Sequence, residues 1–392
     1  MSSTGACGTW SARRSWALNI VATASPRRLD PMTNASIACR RLYASGLLGP
    51  RPKSLAEATR HLGAVQSQDY PGAAWGLAQR VGAITQADVT AAYDAGRLLR
   101  THAMRPTWHF VLPEDIRWIQ ALTGSRVHAR NASMYRRFEL DGTTWARCRD
   151  TLIAALEGGR ERTRAELSKA LGTAGIEATG QRLAYIVMRA EIDGLICSGA
   201  FRGKQFTYAL IDERAPGVRA PFDREAARAE LVRRYFASHG PALVRDFTWW
   251  SGLTTSDARA GIATLGDLLT RERIDGKEYW SAAEALTDVE VPADTVHLLP
   301  NYDEYLGSYA DYEPIFDPAL PRGRTIADVL GVHIVVREGF VVGGWKRTID
   351  GARVVVDLTM LLPLTKAAER SLQRALEEYG EFLGLPIVVN RQ

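Results

Sequence analysis

Cysteine is scarce in this 392-residue sequence: Cys7, Cys39, Cys148 and Cys197 lie far apart, with no Cys-x-x-Cys pair. That pattern argues against a zinc site and a disulfide framework, and it suits a reducing cytoplasm. Long apolar runs are missing too. No stretch of roughly 18 apolar residues occurs, so no membrane-spanning helix is expected and the chain reads as cytoplasmic. Histidine is limited to seven residues without metal-ligand spacing, so no metal site and no cofactor are expected. Acidic charge is short in the body of the chain. The net charge is +5, yet residues 291–392 hold 10 Lys and Arg against 14 Asp and Glu, leaving the excess of base upstream. A basic body with an acidic end is compatible with a polyanionic partner.

What is there begins with residues 1–33, which lack helical periodicity. Arg13-Arg14 ahead of Trp16–Ala24 faintly resembles a signal peptide, but the apolar run is short and broken by Asn19. A disordered extension is expected, with Met32 as an alternative start. Residues 34–150 form the first unit. Ser54 and Glu57 have capping-box spacing, and Leu55, Ala58, Leu62 and Val65 fall on one helical face. Pro71-Gly72 is expected to stop that helix, leaving Gln66-Ser67-Gln68 at its end or just past it. In an extended segment residues two apart share a side, so the two carboxamides would face one way, able to hold a water through paired donors and acceptors. Thr85 opens a helix closed at Gly96. Residues 98–111 read as β, with Arg105, Thr107 and His109 alternating on one face and Pro106 at an edge or bend. Residues 125–137 carry the densest basic run, Arg126, His128, Arg130, Arg136 and Arg137, which suits phosphate contacts.

Residues 150–212 and 225–285 look like two copies of one unit: helix, turn, helix, then a two-stranded ribbon, with Asp275-Gly276 as the turn of the second ribbon. That is a winged-helix layout. The second helices carry only Arg182 and Arg189 in one copy and Arg259 in the other, which favours backbone-led binding over base readout. The expected divisions are 151–215, 222–290 and 291–392. The last reads as a small antiparallel sheet or barrel with one packed helix, Lys366–Leu383, ahead of an apolar Pro386–Val389.

Leu47-Leu48-Gly49-Pro50, Gln66-Ser67-Gln68, Arg105-Pro106-Thr107-Trp108-His109 and Leu298-Leu299-Pro300-x-x-Asp303-x-Tyr305 occur in that order. Together they resemble the AlkZ/YcaQ-like winged-helix DNA glycosylases over roughly residues 35–392, on the Gln-x-Gln side of that family. The resemblance implies an α+β fold of three tandem winged helices followed by an antiparallel β-barrel, acting as a monomer that clamps double-stranded DNA. It also implies excision of N7-alkylated purines, interstrand crosslinks among them, with Gln66 and Gln68 catalytic. Arg105 and His109 are expected to support the site by contacting the DNA strand. Arg126, Arg130, Arg136, Arg137, Arg182 and Arg189 complete the expected DNA-binding set. An N7-alkylpurine already carries positive charge and leaves without prior protonation, so neutral amides that place a water and stabilise an oxocarbenium-like sugar would suffice. The rival readings are a winged-helix transcriptional regulator without catalysis, which would prefer one sequence over damage, and a scaffold that binds only protein.

Overall fold

The first helix, α1 (Asn34–Ala44), is followed by a second whose limits are set locally. The Ser54 hydroxyl accepts from the Glu57 N–H and the Glu57 carboxylate accepts from the Lys53 N–H, so α2 (Leu55–Leu62) starts there. It stops at Gly63, whose φ of 80° only glycine adopts freely. Pro71-Gly72 therefore does not end this helix, contrary to expectation. Pro71 opens the next one, α3 (Tyr70–Val81), because a first-turn N–H has no intrahelical partner to lose.

The computed structural model describes residues 34–217, 222–285, 289, 292–317, 319–320 and 333–391. The expected extension 1–33 lies outside them. In the first unit β1 (Val65–Gln66) separates α2 from α3. Helix α4 (Gln86–Asp94) and a hairpin of β2 (Leu99–Ala103) and β3 (Thr107–Val111) follow, giving sheet order β1-β3-β2. The β-like stretch 98–111 is thus two strands, turned at Met104 (φ 61°), with Arg105 and Pro106 in the turn. A long helix, α5 (Ile116–Arg137), leads to the second unit: α6 (Gly142–Leu156), β4 (Arg162–Thr163), α7 (Arg164–Thr173), α8 (Gly180–Ile192), β5 (Ile196–Ser198) and β6 (Thr207–Leu210), ordered β4-β6-β5, then the short α9 (Ile211–Arg214). In the third unit α10 (Arg224–His239), α11 (Val244–Ser251) and α12 (Thr255–Leu265) precede β7 (Leu269–Ile274) and β8 (Lys277–Ala282). A single bridge, Ala242 to Trp280, takes the place of the first strand. One order of elements therefore occurs three times.

The C-terminal part comprises β9 (Val296–Leu299), α13 (Glu304–Gly307), β10 (His333–Arg337), β11 (Phe340–Asp350), β12 (Arg353–Met360), α14 (Lys366–Leu383) and β13 (Ile387–Arg391). The expected antiparallel barrel is not what these residues form. They make an open row, β13-β12-β11-β10-β9, in which β13 runs parallel to β12. The reason is α14: a strand that returns after a crossover helix pairs parallel. Among the described residues no helix is long and apolar enough to cross a membrane.

This sheet shares one core with the first unit. Trp75 of α3 packs edge-on against Tyr379 of α14 at 5.0 Å, and Tyr379 against Trp345 of β11 at 5.1 Å. The Trp75 and Trp345 indole N–H groups donate to the carbonyls of Leu298 and Leu299. Two indoles thus fix the loop that begins at Pro300.

Candidate active site

The segment from Gln66 to Asp69 is held at every residue. Gln66 pairs with His109 across β1 and β3, and the Ser67 N–H donates to the Trp108 carbonyl at 2.8 Å. The Ser67 carbonyl accepts from Arg100 Nε at 3.1 Å. The Arg100 guanidinium is clasped between the rings of Trp108 and Phe206, 4.3 and 4.7 Å from their centroids. Asp69 faces Arg347 of β11 at 3.3 Å. The strand ends at Gln66 and the chain bends at Gln68, and the two side chains are placed unequally. Gln66 is buried and Gln68 exposed, its Oε1 3.5 Å from the Trp108 N–H.

Gln66 sits between a cation and an anion. Its Oε1 accepts from an Arg105 Nη at 2.7 Å, while its backbone N–H donates to Glu304 Oε1 at 2.7 Å. The other Glu304 oxygen accepts from Trp250 Nε1 at 3.0 Å and from Ser308 Oγ, with His239 Nε2 3.3 Å away. Burial alone would raise the pKa of this carboxyl group. The hydrogen bonds and charge of His239, the Ser308 hydroxyl and the Gln66 N–H outweigh it and hold the group down at about 2. Glu304 was not among the expected site residues. It stands inside the Asp303-x-Tyr305 motif, and only its contact with Gln66, 238 positions away, reveals its role. Its neighbour Asp303 makes a buried two-pronged pair with Arg80 of α3, at 2.8 and 2.9 Å.

Around Gln66 the walls come from three units. Gly307 of α13 has no side chain where a Cβ would lie 3.6 Å from Gln66 Oε1. Trp249 of α11 is 49% exposed, and its indole N–H donates to the Gly307 carbonyl at 3.2 Å. The Arg105 guanidinium lies 5.6 Å from the centre of that indole. Burial pulls the Arg105 pKa down, against the opposing pull of Glu304. Ser67 Oγ, Arg105 Nε, Thr107 Oγ1 and His109 Nε2 are buried without a hydrogen-bond partner among the described residues. Beyond Gln68 lies a cavity of about 760 Å³, bordered by Asp69, Tyr70, Arg100, Phe201 and Phe206.

The basic residues divide into two groups. Arg126, Arg130, Arg136 and Arg137 are exposed on α5, and Arg126, Arg130 and Arg137 share one helical stripe. Gly252, with φ 72°, brings that stripe to the site: a Cβ there would lie 2.4 Å from the Met104 carbonyl and 3.9 Å from Arg130 Nη1. Arg182 and Arg189 are turned inward. Arg182 donates to the carbonyls of Phe138 and Glu177, and Arg189 to that of Leu140 while covering the rings of Trp145 and Tyr135. His109 is fully enclosed, with Nδ1 against the Thr107 carbonyl at 3.0 Å. Burial and the nearby Arg105 push its pKa down to about 3, which keeps the ring neutral. Arg182 and Arg189, both half-buried, spend some of their donors on backbone carbonyls and the His109 ring is enclosed, so these three expected DNA contacts are less open to a phosphate than the α5 stripe.

The arrangement offers one buried carboxamide, Gln66, between the Glu304 carboxylate and the Arg105 guanidinium, and a second, Gln68, exposed beside a cavity that Arg100 also borders. The model of the AlkZ-like DNA glycosylase family matches residues 59–382. A protein of Streptomyces sahachiroi named interstrand DNA cross-link repair glycosylase is 25% identical over 354 residues, covering 85% of this chain and 93% of that one. The solved structure of the Streptomyces sahachiroi DNA glycosylase AlkZ has the same fold, with a TM-score of 0.73 and 22% identity over 91% of this chain and 99% of that one. The chain belongs to the AlkZ-like DNA glycosylase family.

Proposed function

We propose that this protein hydrolyses the N-glycosidic bond of cationic N7-alkylated purines in double-stranded DNA, interstrand crosslinks among them, with Gln66 and Gln68 as the catalytic pair. The observation that carries this reading is the placement of the Gln66 amide: buried, pinned through its backbone to an ionised carboxylate, and set against Gly307, where a Cβ would lie 3.6 Å from its Oε1. The name of the 25%-identical Streptomyces sahachiroi relative supports the extension to crosslinks.

In this reading the three repeats are winged-helix units that seat the duplex against the Arg126–Arg130–Arg137 stripe. Phosphates give orientation but no sequence information. The exposed Gln68 accepts from and donates to a water, and Gln66 turns its carbonyl dipole toward the sugar as positive charge develops on it. Water is the nucleophile: the C1′–N9 bond breaks with its electron pair going to the departing base, which leaves neutral, the water oxygen bonds C1′, and its surplus proton passes to solvent, so the enzyme is monofunctional. The leaving base carries its own charge, so the step needs no metal. The protein works as a cytoplasmic, nucleoid-associated monomer.

The test is release of N7-methylguanine from a defined duplex under single-turnover conditions. Gln66→Ala and Gln68→Ala are each expected to lower the rate by about a hundredfold or more, as loss of a preorganised polar group does. Affinity for the duplex should change less than threefold. Wild-type rates in Gln68→Ala overturn the assignment, and no release of the methylated base by the wild type overturns the reading as a whole.

A further inference from the structure

Arg105 is a planar cation held in an unusual way. One Nη donates to Gln66 Oε1 at 2.7 Å, its central carbon lies 5.6 Å from the centre of the Trp249 indole, and its Nε is buried with no hydrogen-bond partner among the described residues. Among the described residues no ion pair joins it to a carboxylate within salt-bridge distance, although the buried Glu304 carboxylate lies just behind Gln66. Beside it stands Trp249, a large aromatic side chain half exposed yet fixed in direction by its bond to the Gly307 carbonyl. A carbonyl acceptor, an indole ring within cation–π reach, a glycine set close against the amide and an anion behind are together the elements of a site for a flat, positively charged ring.

We infer that Trp249, Gln66 and Gly307 form a recognition subsite for the cationic purine itself, and that Arg105 occupies it in the free protein as a resident stand-in. The inference rests on the reading of N7-alkylpurine excision given above, and it names what selects such bases. On binding, the alkylated base takes the place of the guanidinium against the Trp249 face. Arg105, already poorly satisfied, moves to the phosphate backbone. A neutral purine cannot make that exchange on equal terms, because it offers the indole quadrupole no charge. Trp249 is on this account a residue that determines specificity, and Arg105 one that the substrate displaces.

The experiment measures binding rather than turnover, with the full chain and two duplexes that it does not cleave. One carries 2′-fluoro-N7-methylguanosine, cationic and resistant to hydrolysis. The other carries 7-deaza-7-methylguanosine, of the same shape but neutral. The wild type is expected to bind the cationic duplex about tenfold more tightly, the scale of one cation–ring contact. Trp249→Leu keeps apolar area and removes the quadrupole, so that ratio should fall to about two, with Trp249→Phe between. Arg105→Ala should raise the ratio, since the resident is gone, even if both affinities weaken through loss of a phosphate contact. Trp249 is half exposed, so the fold should tolerate its replacement. Should Trp249→Leu fail to fold, Trp249→Phe decides. An unchanged ratio in the Trp249 variants, a lower ratio in Arg105→Ala, or a wild-type ratio near one overturns the inference. If the wild type still releases N7-methylguanine while those ratios stay flat, the subsite alone falls. If it releases none, the functional reading falls instead.

Discussion

Replacing Glu304 by glutamine changes one oxygen for an NH2 group and removes one charge. In the native protein both oxygens of this buried carboxylate serve as acceptors: one for the Gln66 N–H, the other for Trp250 Nε1 and Ser308 Oγ, with His239 close by. A carboxamide keeps one acceptor and presents donors where the second was. At least one buried donor then loses its partner, at about 1–3 kcal/mol each. A loss of about 2–5 kcal/mol at pH 7 is expected, within the range for breaking a buried charged network. The pH dependence carries a sign. The Glu304 pKa is held at about 2, below its ordinary 4.5, so ionised Glu304 stabilises the fold above about 4.5. That contribution, on the order of 3 kcal/mol, fades as the pH falls from 4.5 toward 2. Denaturant unfolding of wild type and Glu304→Gln at pH 7, 5, 4 and 3 measures it, because other carboxylates titrate in both proteins and cancel in the difference. The gap should be widest at pH 7 and narrow below pH 4.5. A gap under about 1 kcal/mol at pH 7, or one that stays constant down to pH 3, would refute the reasoning. The same variant should release N7-methylguanine about a hundredfold more slowly, because the Gln66 N–H loses its charged acceptor and small misplacements cost that much.

Two further outcomes are expected. Asp303→Ala leaves Arg80 buried without its partner and should destabilise the protein by about 3–5 kcal/mol in denaturant unfolding, an effect that Arg80→Ala should match and the double variant should not double. Arg126→Ala with Arg130→Ala should weaken binding to every duplex alike and reduce the slope of log affinity against log salt by about 2, whereas Arg182→Ala should leave that slope unchanged.

Local chemistry carried much of this structure in plain sight. The Ser54–Glu57 start, the Thr85 capping box and the Asp275-Gly276 turn stand where their residue types place them, because each is settled within four residues. The Gln-x-Gln motif was legible as two amides at the end of an element, one of them buried and the other exposed in the structure. Pro71 misled because proline serves a helix start as well as a stop. The parallel β13 was readable in principle, since an 18-residue helix between two apolar runs is the signature of a crossover. Other features had no local signal. Arg182 and Arg189 look solvent-facing in the sequence, yet backbone carbonyls from neighbouring elements claim their donors. Glu304 looks like one more acidic residue on an acidic tail until tertiary packing sets it under Gln66.

Adjacent residues 303 and 304 grip the N-terminal unit at two points, one through Arg80 and one through Gln66. The shortest piece of this chain that keeps the surroundings of Gln66 intact is therefore nearly the whole of it. A fragment ending before residue 300 would expose Trp75 and lose both grips, while the C-terminal sheet alone would keep the anion and nothing for it to hold. Anyone wishing to graft this chemistry onto a smaller scaffold would have to carry over the distant loop along with the two amides.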